Sequence, residues 1–171
     1  AIYKVFHMGK RDSDNFYACD IISDILSNGQ SARLYVNLIK NSRLFSGIDA
    51  YITGDMDPGL FIFSGKLSEG TDIRQAEAAI DSEIEKFIRD SITERELQKV
   101  INKTEARISY SEINYQNKAC NLAFFEFLGD INLINSECSR YNNINIEQIR
   151  ETAKDIFRRE NSSTLYYLKQ Q

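Results

Sequence analysis

The chain has 171 residues, 42% of them hydrophobic and 27% charged, enough for one domain with a continuous core; its longest apolar runs, such as residues 60–63, fall far short of the roughly 20 residues that cross a bilayer. A net charge of -4, with 21 Lys and Arg interspersed among 25 Asp and Glu, leaves no basic stripe for phosphates, so neither nucleic acid nor membrane is expected as a partner. The chain opens at Ala1 without a methionine and a strand pattern begins almost at once, which reads as one domain, residues 1–171, cut from a longer polypeptide.

Residues 2–8 mix apolar and polar side chains at strand length, and Gly9, Lys10, Arg11 and Asp12 form a turn-like break. Ala18, Ile21, Ile22, Ile25 and Leu26 then recur at helical spacing, predicting a helix over residues 14–26 that lies on the sheet. Gly29 suits the left-handed residue that closes it, and Ser31 is placed to accept the first free amides of a shorter helix over residues 33–40, with Leu34 and Leu38 inward. From Leu44 the apolar period changes to two, Ile48, Ala50 and Ile52 sharing a face. Asp57, Pro58 and Gly59 supply a turn, and residues 60–67 return as the second strand of a hairpin.

Asp72 is expected to cap a helix with Gln75 reaching back, its buried stripe being Ile73, Ala76, Ile80, Ile84 and Phe87. Thr93 and Glu96 form a capping box, and Ile92 can clasp Leu97 across it; this helix runs to about residue 112, with Val100, Ile101, Thr104 and Ile108 inward. Residues 115–128 are apolar nearly all round at 122–127 and stop at Gly129, which predicts a helix lying between other helices. Asp130 is expected to cap a short helix to about residue 141, followed by an exposed connection. Asn145 and Gln148 repeat the capping box, with Ile144 and Ile149 clasping and Ala153, Ile156 and Phe157 inward. Residues 164–169 read as a last strand. The order strand, two helices, hairpin, helices, strand predicts an α+β domain: a four-stranded, mainly antiparallel sheet with helices mostly on one face.

Catalytic chemistry is sparse. A hydrolytic zinc site needs three protein ligands and an open position, usually with His among them. His7, the only histidine, falls in the first predicted strand, and neither His-Glu-x-x-His nor its inverted form His-x-x-Glu-His occurs, so His7 is expected as a strand or chamber-lining residue. The same scarcity removes the base that a Ser or Cys nucleophile needs, and there is no Gly-x-Ser-x-Gly elbow. Gly65 and Lys66 lie in a strand with no helix directly after it, which excludes a phosphate-cradling loop. Asp55 and Asp57 read as turn residues outside any Ca²⁺-binding loop, and Asp81, Glu83 and Glu85 as a solvated helix face. Cys19, Cys120 and Cys138, odd in number and widely spaced, are expected as reduced, small apolar side chains of a reducing compartment, the cytoplasm being the first choice.

Ser31, Ala32, Arg33, Leu34 and Tyr35, then Leu38, Ile39 and Lys40, then Arg43, Leu44, Phe45 and Ser46 occupy the frame of a Ser-Arg-Leu-Tyr helix opening, a Leu-Arg-Glu stretch and a Gly-Leu-Ala-Tyr strand start. In that frame the chain resembles the C-terminal, non-zinc-binding half of the pitrilysin/insulinase family of zinc metallopeptidases. The stretch Ile92, Thr93, Glu94, Arg95, Glu96 and Leu97, similar to the family's Thr-Glu-Glu-Glu-Leu helix start, and a closing Tyr-Tyr strand extend the resemblance over nearly the whole chain. The resemblance implies a metallopeptidase half-domain, a ferredoxin-like duplication unit, from a peptidase whose two similar halves enclose a chamber. It further implies a noncatalytic domain with no cofactor of its own, zinc bound in the missing half of a zinc metalloendopeptidase, and two partners: that N-terminal half, or a partner subunit, and the peptide substrate.

In many members the second half supplies an Arg and, seven residues later, a Tyr that hold the substrate carbonyl. The matching positions here are Ile39 and Ser46; Ile39 cannot donate a hydrogen bond and Ser46 is too short to replace a Tyr hydroxyl. Arg33, Tyr35 and Arg43 are the nearby polar candidates for lining the chamber, with surface packing as the competing role. Two other functions stay open: a catalytically dead scaffold or subunit-assembly protein that keeps the peptidase fold, and a peptide-binding module that adds a strand at an exposed sheet edge.

Overall fold

Along the first strand, β1 (Ile2–His7), Ile2, Lys4 and Phe6 are buried while Tyr3 and His7 are exposed, the alternation of a strand covered on one face. This comes from a computed structural model, which describes residues 1–13, 15–54, 56–90 and 92–168. β1 pairs antiparallel with β3 (Leu60–Leu67), Ile2 opposite Gly65, and with β4 (Ser162–Tyr166), Ile2 opposite Tyr166. β2 (Phe45–Ile52) pairs with β3 and completes the order β2-β3-β1-β4. The sheet is four-stranded and antiparallel, as the sequence predicts. β4 ends at Tyr166, ahead of the predicted 164–169, and Lys169 lies outside the described residues. On the covered face Gly65 makes room for an aromatic ring: a Cβ there would meet Phe45 Cε1 at 2.5 Å.

The helices cover the face that carries Ile2 and Phe6. Nine of the twelve residues of α1 (Phe16–Ser27) are buried, and it packs on β2 and on α6 (Ile146–Ile156). α2 (Ile73–Asp90) and α3 (Glu94–Ser111) contribute the predicted stripes, with Ala76, Ile80, Ile84, Phe87, Leu97, Val100 and Ile101 all buried. Phe6, Phe61, Phe63 and Phe157 meet in a cluster with ring centroids 5.0 to 6.1 Å apart, an arrangement favoured by edge-to-face contact. Both capping boxes form: Glu96 N donates to Thr93 Oγ1 at 3.2 Å and Gln148 N donates to Asn145 Oδ1 at 2.9 Å, each answered by the reverse bond. Gly29 and Gly129 end their helices at φ of 99° and 100°.

Five expectations are corrected. The short helix at 33–40 is a π-helix, Tyr35–Asn41, shown by the bond from Ser42 N to Asn37 O at 3.0 Å; Leu34 and Leu38 are buried as expected. Ser31 does not cap it, its hydroxyl accepting instead from Lys99 Nζ. α1 begins at Phe16 rather than 14, and Asp14 lies outside the described residues. Glu83 is not part of a solvated face: it lies on the inward stripe of α2, where Asn37 Nδ2 donates to it at 2.6 Å and Lys86 Nζ at 2.7 Å. Finally, α4 (Tyr115–Phe127) does not lie between helices. It packs on α5 (Leu133–Asn142), buries Phe125, and leaves Phe124, Phe127 and Tyr115 exposed. Cys120 on α4 is therefore exposed as well, while Cys19 is buried; both are free thiols, as is Cys138. Among the described residues no helix is long and apolar enough to cross a membrane.

Candidate functional site

Two features of the fold stand open to solvent. The first is the sheet face turned away from the helices. Cross-strand partners share a face, so Tyr3, opposite Ser64 and Leu165, stands with Asp49 and Tyr51 on that side. Leu165 and Tyr167 there are 63% and 72% exposed. His7 is also on this face, and its carbonyl accepts from Asn161 Nδ2 at 2.9 Å.

The second feature is a cavity of about 390 Å³ between α1, α3, α4 and α5. The loop after β1 carries Arg11 under α5, where its Nη2 donates to Glu137 Oε1; the two side chains are 10% and 11% exposed. The guanidinium also lies 4.3 Å above the Phe16 ring. Burial opposes the Arg11 charge, but Glu137 outweighs it and the guanidinium pKa is raised. Alongside, Tyr141 donates to Asp20 Oδ2 at 2.6 Å, and burial together with Asp20 pushes the Tyr141 hydroxyl well above the usual range. Phe124, Phe125, Ile108 and Ile134 form the apolar side of the cavity. Arg11 falls in a predicted turn and Glu137 in a predicted helix 126 residues away, and nothing local announces such a pair.

The residues picked out from the sequence are not brought together. Arg33 is half-buried, with Nε and Nη2 on the Glu96 carboxylate at 3.0 and 3.1 Å and its Cζ 5.2 Å from the centroid of Phe87. Tyr35 opens the π-helix, and Arg43 is exposed with φ of 55° just ahead of β2. None of the three lines the cavity. Ile39 is half-buried against the core, and the exposed Ser46 donates from Oγ to Lys66 O at 3.1 Å, so neither offers the long donor that an Arg or a Tyr would. Among the described residues no group of three or more His, Cys, Asp or Glu could hold a metal ion, so a zinc site does not fit this set of side chains.

Solved structures share this four-stranded antiparallel sheet, bare on one side and backed by helices on the other. The chain superposes with a TM-score of 0.90 on the inactive peptidase domain of a candidate zinc protease from Bordetella parapertussis, at 21% identity, covering 99% of this chain and 90% of that one. A candidate zinc protease from Bordetella pertussis Tohama I gives 0.89 at 21% identity, covering 98% and 93%. A protease from Helicobacter pylori gives 0.89 at 18% identity over 95% of this chain, which spans only 40% of that protein. No curated protein matches the sequence. Residues 1–104, from β1 into α3, match the family described as Peptidase M16 inactive domain. The chain belongs to that family, the pitrilysin-type metallopeptidases of the sequence resemblance.

Proposed function

We propose that the chain is a noncatalytic, chamber-forming domain of a zinc-dependent peptidase that degrades peptides, the zinc being held in an N-terminal half or a partner subunit. The observation that carries this reading is the uncovered sheet face, where Tyr3, Tyr51, Leu165 and Tyr167 leave apolar surface in water. Exposed apolar surface of that kind marks a face meant to be covered or to bind. Of the three candidate chamber residues Arg43 supports the reading best, because it is exposed at the start of β2, whereas Arg33 is held by Glu96 and Phe87.

The test is reconstitution. This chain alone should bind no stoichiometric zinc and cleave no fluorogenic peptide; mixed with the upstream half it should restore cleavage that a chelator removes. Chelator-sensitive cleavage by this chain alone, or full activity of the upstream half without it, overturns the proposal.

One observation favours a second reading, a scaffold that keeps the fold without catalysis: Ile39 is turned into the core and Ser46 is bonded to the neighbouring strand, so the carbonyl-holding pair is missing. The upstream sequence separates the two. A His-x-x-Glu-His there supports the peptidase, and its absence supports the scaffold.

A further inference from the structure

Helix α4 belongs to the helical layer, packed on α5 and away from the bare sheet face. Its inner side is marked by the buried Phe125 and by Asn121 and Phe124 at the cavity. On the other side Tyr115, Ala119, Ala123 and Phe127 recur every four residues and so share one stripe, all four exposed and joined by the exposed thiol of Cys120. Tyr115 is 88% exposed and Phe127 69%. Apolar surface of this extent on the outside of a helix marks a face that is covered by a partner.

The stripe itself names the partner. It runs large, small, small, large, and reads the same from either end about position 121. A twofold axis at that point lays Tyr115 of one copy on Phe127 of the other and Ala119 on Ala123, each pair occurring twice, and the small central residues let the helix axes approach to about 8 Å. The same operation sets Gln116, a donor, against Glu126, an acceptor, and brings each positive helix N-terminus to the other copy's negative C-terminus. A parallel pair would instead place Glu126 against Glu126. The area agrees with a second copy. At roughly 150–250 Å² per aromatic side chain, Tyr115 and Phe127 present about 300 Å², and the smaller residues raise the stripe to about 450 Å², or about 900 Å² for two copies. Tyr110 and Ile113, 73% and 72% exposed just ahead of α4, bring the total to about 1,400 Å², inside the roughly 1,200–2,000 Å² of specific interfaces.

We propose that α4 is a self-association face, through which two copies of this chain pair with their α4 helices antiparallel. The pairing leaves both bare sheet faces open, so it stands or falls independently of the reconstitution experiment.

The test is sedimentation equilibrium of this chain over about 5–500 µM, where an interface near the low end of the specific range gives a dissociation constant on the order of 10–100 µM. The weight-average mass should rise from 19.7 kDa towards twice that value. Ala123→Arg, in a side chain already in water, should weaken the association at least about tenfold and leave the urea midpoint in place. Gln116→Lys, which faces Glu126 of the other copy, should tighten it about threefold to tenfold; Gln116→Glu should weaken it by a similar factor, and Glu126→Lys added to Gln116→Glu should restore it. A monomer at every concentration, association untouched by Ala123→Arg, or Gln116→Lys and Gln116→Glu moving the constant in the same direction each overturns the proposal.

Discussion

Replacing Arg11 by Met keeps an apolar stem on Phe16 and removes the cation bonded to Glu137. The carboxylate that stays behind is 11% exposed, with the Tyr17 hydroxyl at 3.3 Å as a remaining donor. Breaking a buried ion pair by deleting one partner costs about 3–5 kcal/mol, because the other charge is left desolvated. Against a whole-domain stability of about 5–15 kcal/mol that is roughly a fifth or more of the total, and for a chain of this size it lowers Tm by about 6–20 °C. Urea unfolding followed by circular dichroism should show the midpoint falling with the slope unchanged. The double variant Arg11→Met with Glu137→Met removes both charges and should recover to within about 2 kcal/mol of the parent. The reasoning is refuted if the single variant loses less than about 1 kcal/mol, which would mean that the pair is effectively solvated, or if the double variant is as unstable as the single one.

Thr93→Ala removes one side of the capping box of α3 and should cost about 1 kcal/mol by urea unfolding. Phe157→Ala empties a site bounded by Phe6, Phe61 and Phe63 and should cost about 3–5 kcal/mol, read as a fall in urea midpoint. Burial raises the Glu96 carboxyl pKa, but the bonds from Arg33 and Thr93 outweigh it and hold the folded value below 4.5. A carboxylate depressed by folding contributes stability above its unfolded pKa and loses it as pH falls through the folded one. Stability should therefore drop on acidification below about pH 4.5, and Arg33→Met should flatten that slope in pH-dependent unfolding. Leu165→Asp, on the bare sheet face, should change the stability of the isolated chain by no more than about 0.5 kcal/mol.

Features set by neighbours in sequence were legible. The boxes at Thr93 and Asn145 need only residues three apart, and the second hairpin strand falls at residues 60–67 as predicted because Gly59 and the alternation bound it. Features set by what arrives from elsewhere were not. Glu83 reads as a surface charge until the π-helix brings Asn37 against it, and the spacing of Leu34 and Leu38 suits an α-helix as well as the wider turn that forms. The apolar run in α4 implied burial, but a helix with one main neighbour covers one side only, which left Phe124 and Phe127 outside. The resemblance in residues 31–46 pointed to the family; the cavity, assembled from segments more than a hundred residues apart, had no linear trace.

The pairing of β1 with β4 continues past the strands, Ala1 N donating to Tyr167 O and Tyr167 N to Ala1 O, each at 2.8 Å. Both ends of the described chain therefore emerge from one corner of the sheet, on neighbouring antiparallel strands. A pull applied between those ends loads the rungs of this ladder in succession, beginning at Ala1 and Tyr167, instead of all at once. Under tension the domain should come apart as a zipper opens, from the corner inward, with the aromatic cluster at Phe6 the last point to be reached along β1.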